Sequence, residues 1–343
     1  KATSLIGQFG VGFYAAFMVA DKVVVTTKKA GEAQGWRWES DGKGTFTITE
    51  APNAARGAAL ELHLREDAAE FLDAFRLKSI IKRYSDHINI PVVMKDGETE
   101  ETVNSASALW TRSKSDITDE QYKEFYHHVA HAFDEPWQTI HYRAEGAIEY
   151  TGLLFVPGSK PFDLFQPDRK NHLKLYVNRV FITDEAEGLL PPYLRFLRGV
   201  VDSQDLPLNV SREMLQQNPL LEKIQKNLVK QILKALEELK TEQREVYASF
   251  FQELGQILKE GLGRDWERRE AIADLLLFKH LKSEQDITLA EYVAAMPEDQ
   301  KEIYHLAGED RMALLHAPSL EAFKARDWDV LLLVDPIDPF VIP

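Results

Sequence analysis

Apolar and polar positions change period several times along the 343 residues, and each change marks an element. A glycine-spaced opening at 7–12 leads into an apolar run, 13–19, that predicts a helix. Strand-like stretches follow at 23–27, 36–40 and 45–49, and Asp41-Gly42-Lys43-Gly44 predicts a hairpin turn between the last two. Residues 60–64 alternate, residues 71–87 repeat at helical spacing, and 91–94 closes as a strand, so 1–95 reads as an α+β layer. A polar stretch, 96–107, rich in Asp, Glu, Thr and Ser and carrying Gly97, predicts a short linker. Beyond it the pattern predicts strands at 152–156 and 173–183, helices at 191–202 and 220–240, and more helix to about 282. Short apolar runs at 303–307 and 330–334 read as buried strands flanking a helix. The region 108–343 thus reads as α/β: a large αβα part to about 240, a helical segment over 241–282, and a smaller αβα part over 283–343.

Composition narrows the classes. Lys plus Arg number 41 against 55 Asp plus Glu, a formal charge of -14 that repels a polyphosphate backbone, so nucleic acid is not an expected partner. With no cysteine, disulfides and thiolate metal sites are excluded. Apolar runs such as 330–334 fall far short of the ~20 residues of a membrane helix. The expectation is a cytoplasmic protein with no membrane partner. Because Lys1 stands directly before the glycine run, more chain is expected to precede it.

The sharpest local signal is Gly7-Gln8-Phe9-Gly10-Val11-Gly12-Phe13 running into the apolar helix. Glycine removes the side chain that would hold a ligand off the backbone, and a helix start offers unpaired amides to an anion, with phosphate the natural ligand. A tight helix entry would use the same glycines. No Lys-Ser/Thr follows them as in a P-loop, and the strand and downstream acid of a dinucleotide fold are missing, so the phosphate loop would be of another kind.

The segment LIGQFGVGFYAAFMVADKV resembles the ATP-lid end of the ninety-kilodalton heat-shock chaperones, most of all the bacterial ones. WES at 38–40, IIKRYSDHI at 80–88, ALWTRSKSDITDEQYKEFY at 108–126 and LKLYVNRVFITDEAEGLLPPYLRFLRGVVDSQDLPLNVSREMLQQ at 173–217 follow in family order. ITLAEYVAAM and VLLLVDPID extend the likeness to the end of the chain. The resemblance implies a partial GHKL-type (Bergerat) α/β sandwich over 1–95, followed by the family's middle domain over 108–343. It implies ATP and magnesium as cofactors and amides of Gly7, Gln8, Phe9, Gly10, Val11 and Gly12, with Phe13 beside them, at the terminal phosphate. It implies a catalytic Arg212 reaching the γ-phosphate, with Gln216 one helical turn on. Partners would be unfolded or partly folded clients and cochaperones, with a homodimer for the full-length protein and a monomer for this stretch.

In two places the sequence departs from the family pattern. Ala58 follows Gly57 where the family usually has a threonine whose hydroxyl helps anchor adenine. The family's general-base glutamate, magnesium-ligating asparagine and adenine-binding aspartate are expected upstream of Lys1, so these 343 residues alone are expected neither to bind ATP tightly nor to hydrolyse it. Loss of covering elements is also expected to bare the apolar strands at 23–27 and 45–49.

Other candidates are Phe181, in the segment that resembles the surface turned toward the nucleotide domain or else a core strand phenylalanine, and Trp110, Phe133 and Trp137, aromatics in polar surroundings that suit client contacts, with burial at a domain junction the other reading of Trp110. His127 and His131, with His128 between, sit one turn apart on an expected helix, a spacing that could clasp zinc, though no third ligand is indicated and no metal site is expected. The rival functions are a non-catalytic interaction scaffold and a DNA-handling ATPase of the same nucleotide fold.

Overall fold

The computed structural model describes residues 10–342 except 98, 147, 163, 167–172, 187 and 209–217. The chain divides into two units: one runs to Ser107 and takes in Asn178–Phe181, and the other begins at Ala108.

In the first unit the helix expected at 13–19 is a 3₁₀ helix, Gly12–Met18. It leads into β1 (Ala20–Lys28), β2 (Trp36–Ser40), β3 (Thr47–Glu50) and β4 (Gly57–Leu64), an antiparallel sheet ordered β3-β2-β1-β4. The turn between β2 and β3 follows from its side chains: Ser40 Oγ accepts from the Gly42 amide and Asp41 Oδ1 from the Lys43 amide, each at 3.0 Å. The register places Val25, Trp38, Ile48 and Leu60 on one face. Leu60, Leu62 and Ile48 of that face, and Phe46 just before β3, are exposed, whereas Val23 and Val24 of β1 are buried. Of the two strands expected to be bared, 45–49 is exposed at Phe46 and Ile48 while 23–27 is covered at Val23 and Val24, and β4 is exposed as well.

Asp73 opens α1 (Ala74–Ser85) by accepting from the Arg76 amide at 2.7 Å. β5 (Val93–Asp96) and β6 (Thr99–Thr102) then pair as a hairpin. β6 lies inside the stretch predicted as a linker, because hairpin pairing satisfies the backbone of a fully polar strand without any apolar face. Asn104 continues the order, its Oδ1 accepting from Val92 N at 2.8 Å and its Nδ2 donating to Ser85 O at 3.1 Å and Ile90 O at 3.0 Å.

The second unit opens with α2 (Asp119–Ala130), started by a capping box between Thr118 and Gln121. Next come β7 (Gln138–Ala144), β8 (Tyr150–Val156), β9 (Leu173–Val177), β10 (Val180–Thr183) and β11 (Arg198–Ser203), a sheet ordered β10-β9-β11-β8-β7. The helix predicted over 191–202 is overturned: only Pro192–Leu194 makes a 3₁₀ turn, and Arg198–Ser203 is the buried central strand. A short run apolar on every side has no readable period. Gly199 fits it to the sheet, with φ +136° and only 2.2 Å between the site of a Cβ and Leu153 O.

Two long helices follow, α3 (Pro219–Glu242) and α4 (Arg244–Arg264). The ring of Tyr126 on α2 lies 5.3 Å from Phe155 of β8, while Leu228 of α3 comes within 3.3 Å of where a Cβ on Gly152 would stand. Since positions 152 and 155 point to opposite sides of a strand, helices cover both faces of this sheet. The chain ends with α5 (Arg269–Asp274), β12 (Lys279–His280), α6 (Leu289–Ala294), β13 (His305–Ala307), α7 (Arg311–Leu315), α8 (Glu321–Ala325), β14 (Leu331–Leu333) and α9 (Asp338–Val341). The small sheet runs β12-β14-β13 over a core of Leu314, Leu320, Val330 and Leu332. Among the described residues no helix is long and apolar enough to cross a membrane.

Candidate functional site

Of the glycine segment, Gly10, Val11, Gly12 and Phe13 are described; Gly7, Gln8 and Phe9 lie outside the described residues, as do Arg212 and Gln216. Gly10 has φ +68°, and a Cβ there or on Gly12 would meet nothing within 4 Å among the described residues. Backbone conformation is what asks for glycine at position 10. The Tyr14 amide closes the first turn on Val11 O at 3.0 Å, and the amides ahead of it at a helix start have no partner within the helix. Such amides can hold an anion by its oxygens.

Aromatic rings fix this segment to the sheet. Phe13 meets Trp38 edge-on at 5.6 Å, Phe17 meets it at 6.5 Å, and Trp38 stacks on Phe46 at 6.2 Å. Gly42, at φ +75°, lies under Phe17, with 2.9 Å from the site of its Cβ to Phe17 Cδ1. Beside Trp38, hydrogen bonds from Arg37 and Lys22 hold the Glu39 carboxyl below the usual carboxylate range. On β4, Ala58 stands opposite Thr27, whose hydroxyl donates to Gly57 O at 3.1 Å, so the methyl of Ala58 leaves this position without a side-chain hydrogen-bonding group.

Trp110 is a core residue, only 1% exposed, which removes it from the candidate client surface. Its Nε1–H donates to Asp202 Oδ2 at 2.8 Å, and its ring lies 4.9 Å from that of Tyr176. Its carbonyl accepts from His141 Nε2 at 2.9 Å, while His141 Nδ1 lies 2.7 Å from the Tyr122 hydroxyl. These partners suit a neutral imidazole that donates through Nε2 and accepts at Nδ1, and burial pulls its pKa below the ordinary value.

The other aromatics differ. Phe133 is 98% exposed, Trp137 is half-buried with its ring 6.0 Å from that of Phe250, and Phe181 is buried on β10. Sequence reasoning missed Phe162 and Phe165, both exposed, on a segment tied to the Phe133 loop by Ser159 Oγ donating to Asp134 Oδ2 at 2.9 Å. Their only sequence signal was apolar side chains in a stretch without period. His127 and His131 do not share a helical face, because α2 ends at Ala130 and His131 turns left-handed at φ 52°. His127 Nε2 instead faces Asp134 O at 2.9 Å, and the described residues contain no group of three or more metal-ligating side chains.

A buried ion cluster also escaped the sequence. Lys259 of α4, 3% exposed, reaches Asp338 Oδ1 at 2.7 Å and also bonds Asp335. Its ammonium lies 5.4 Å from the ring centre of Phe278. Burial raises the pKa of Asp338, and the Lys259 charge opposes that rise.

Comparison with known proteins bears on the whole chain. The family model described as Hsp90 protein matches residues 93–343. The Chaperone protein HtpG of Paramagnetospirillum magneticum is 64% identical over 341 residues, 99% of this chain and 55% of that protein. The proteins of the same description from Rhodospirillum rubrum and Geobacter metallireducens are 58% and 48% identical, covering 98% of this chain and 54% and 56% of their own lengths. The chain therefore spans about half the length of the curated relatives it matches. With a family model matched over most of its residues and identities this high across nearly all of them, the chain belongs to the Hsp90 family.

Proposed function

We propose that this chain is part of an ATP-dependent molecular chaperone that assists the folding of client proteins in the cytoplasm. Residues 1–95 are the rear of its GHKL-type nucleotide domain and 108–343 its middle domain, as a member of a homodimer. Gly7, Gln8, Phe9, Gly10, Val11 and Gly12, with Phe13, cradle the terminal phosphate of magnesium-bound ATP through backbone amides. Arg212, supported by Gln216, neutralises charge on the γ-phosphate, an effect of roughly 10³ to 10⁵ in rate for arginines of this kind. Phe133 and Trp137 contact clients. The observation that carries the reading is the identity to chaperones of the HtpG description over 99% of the chain. It is supported by the left-handed backbone of Gly10, at φ +68°, just ahead of the helix start.

The test joins these residues to the remaining sequence of the Paramagnetospirillum magneticum relative and measures phosphate release and suppression of client aggregation. The expected result is ATP turnover that Arg212→Ala lowers at least about 10²-fold while nucleotide binding persists. Full turnover in Arg212→Ala would overturn the catalytic role, and aggregation suppression indifferent to ATP would favour a non-catalytic scaffold.

A further inference from the structure

Between α4 and the small sheet lies a cavity of about 1070 Å³, roomy enough for a small organic molecule. A polar stripe of α4 forms one wall: Glu245, Ser249, Gln252, Gln256 and Lys259, at spacings of four, three, four and three residues, share one helical face. The stripe sinks along the helix, from exposed Glu245 through half-buried Gln256 to buried Lys259. Phe251, Leu277, Phe278 and Leu332, all buried, form the apolar floor.

The inner end already holds an alkylammonium. Lys259 Nζ donates to Asp338 Oδ1 at 2.7 Å and to Asp335, and it lies 5.4 and 5.9 Å from the ring centres of Phe278 and Phe251. Paired carboxylates and aromatic faces are the groups that hold an organic cation. One ammonium between two carboxylates leaves a negative charge over, and Asp335, its side chain 35% exposed, keeps an Oδ1 with no hydrogen bond among the described residues. Farther out the imbalance continues: seven carboxylates and four Lys or Arg side chains line the cavity, so its surplus charge is negative and calls for a cation. Arg244 is paired with Glu291 at 2.9 Å and Lys279 with Asp286 at 3.3 Å, whereas the exposed Glu245 and Glu253 have no ion pair among the described residues.

We propose that this cavity binds a linear aliphatic polyamine, with one ammonium on Asp335 beside Lys259, the methylene stem along Phe251 and Phe278, and a second ammonium at Glu253. Glu253 precedes Lys259 by about 9 Å of helix, a span that suits a triamine better than a short diamine. The stem of such a ligand uses the apolar floor as the side chain of Lys259 does. A bare metal ion fits less well: the described residues contain no group of three or more metal-ligating side chains, and an ion would leave the aromatic floor unused.

The test uses the whole chain and radiolabelled spermidine in equilibrium dialysis. Binding should saturate at a single site, and spermidine should raise the thermal midpoint. Asp335→Asn should weaken binding about 10-fold or more. Glu245→Gln with Glu253→Gln should weaken it about fivefold, while Glu32→Gln with Glu50→Gln, the same charge change on exposed residues of the first unit, should leave it within about twofold. Circular dichroism confirms that the variants fold, and the two exposed pairs decide the matter should Asp335→Asn unfold. Absence of saturation, equal losses in the two pairs, unchanged binding in folded Asp335→Asn, or displacement of spermidine by magnesium at equal concentration would each overturn the proposal.

Discussion

The indole of Trp110 and the carboxylate of Asp202, separated by 92 positions in sequence, meet in the core of the second unit at 2.8 Å. A buried carboxylate deprived of a donor loses a charge-assisted hydrogen bond, typically worth ~1.5–3 kcal/mol. Trp110→Phe should therefore lower stability by about that amount, read as an earlier urea midpoint by circular dichroism. A midpoint unchanged from the parent would count against the bond as a stabilising contact.

The same network predicts a pH dependence. His141 is buried with its pKa lowered, so between its folded and unfolded values the unfolded chain binds more protons. Stability contributed by the neutral ring is present above pH 6.5, the unfolded value, and is lost as pH falls below it. The slope attributable to this one group is at most about 1.4 kcal/mol per pH unit. Unfolding midpoints taken from pH 7.5 down to 5.5 should fall less in His141→Gln than in the parent, and parallel curves would refute the assignment.

Lys259 lies among carboxylates and rings with almost no water. Lys259→Met leaves Asp338 uncompensated and should cost ~3–5 kcal/mol, whereas adding Asp338→Leu should recover much of that loss. A double-mutant cycle read by thermal unfolding measures the coupling, and simple additivity of the two changes would deny it.

Two turn glycines separate conformation from space. Gly42 and Gly44 both have positive φ, but only at Gly42 would a Cβ meet a ring, that of Phe17. Gly44→Ala should cost ~1 kcal/mol for its conformation alone, and Gly42→Ala clearly more. Amide hydrogen exchange across β2 and β3 compares the two, and equal costs would mean that Phe17 yields freely.

Phe133 is so exposed that Phe133→Ala should leave stability within about 0.5 kcal/mol. Under the proposed function it should weaken retention of an unfolded client in an aggregation assay. Unchanged retention would remove it from the client surface.

Legibility followed the range of the forces involved. β2 coincided with its predicted strand and β1 enclosed the stretch predicted for it, and α3 lay within two residues of expectation at each end, because alternation and helical spacing are local signals. Arg198–Ser203 was misread as helix since a strand buried on both faces shows no alternation. β6 hid in polar residues whose only cue was the turn at Gly97. In the candidate site the glycine segment announced itself by spacing, and Arg212 only by resemblance. Trp110 was open to two readings, a client contact or burial at a domain junction, because its near neighbours in sequence are polar while Asp202, the partner that holds it in the core, is distant. The Lys259 cluster was invisible for the same reason, its partners lying 76 and 79 positions away.

The grip of Lys259 on Asp335 and Asp338 pins the start of α9 and the residue two past β14 to the 21-residue helix α4. A torque applied at the last helix would be passed to α4 through an ionic rivet instead of being absorbed by a yielding seam.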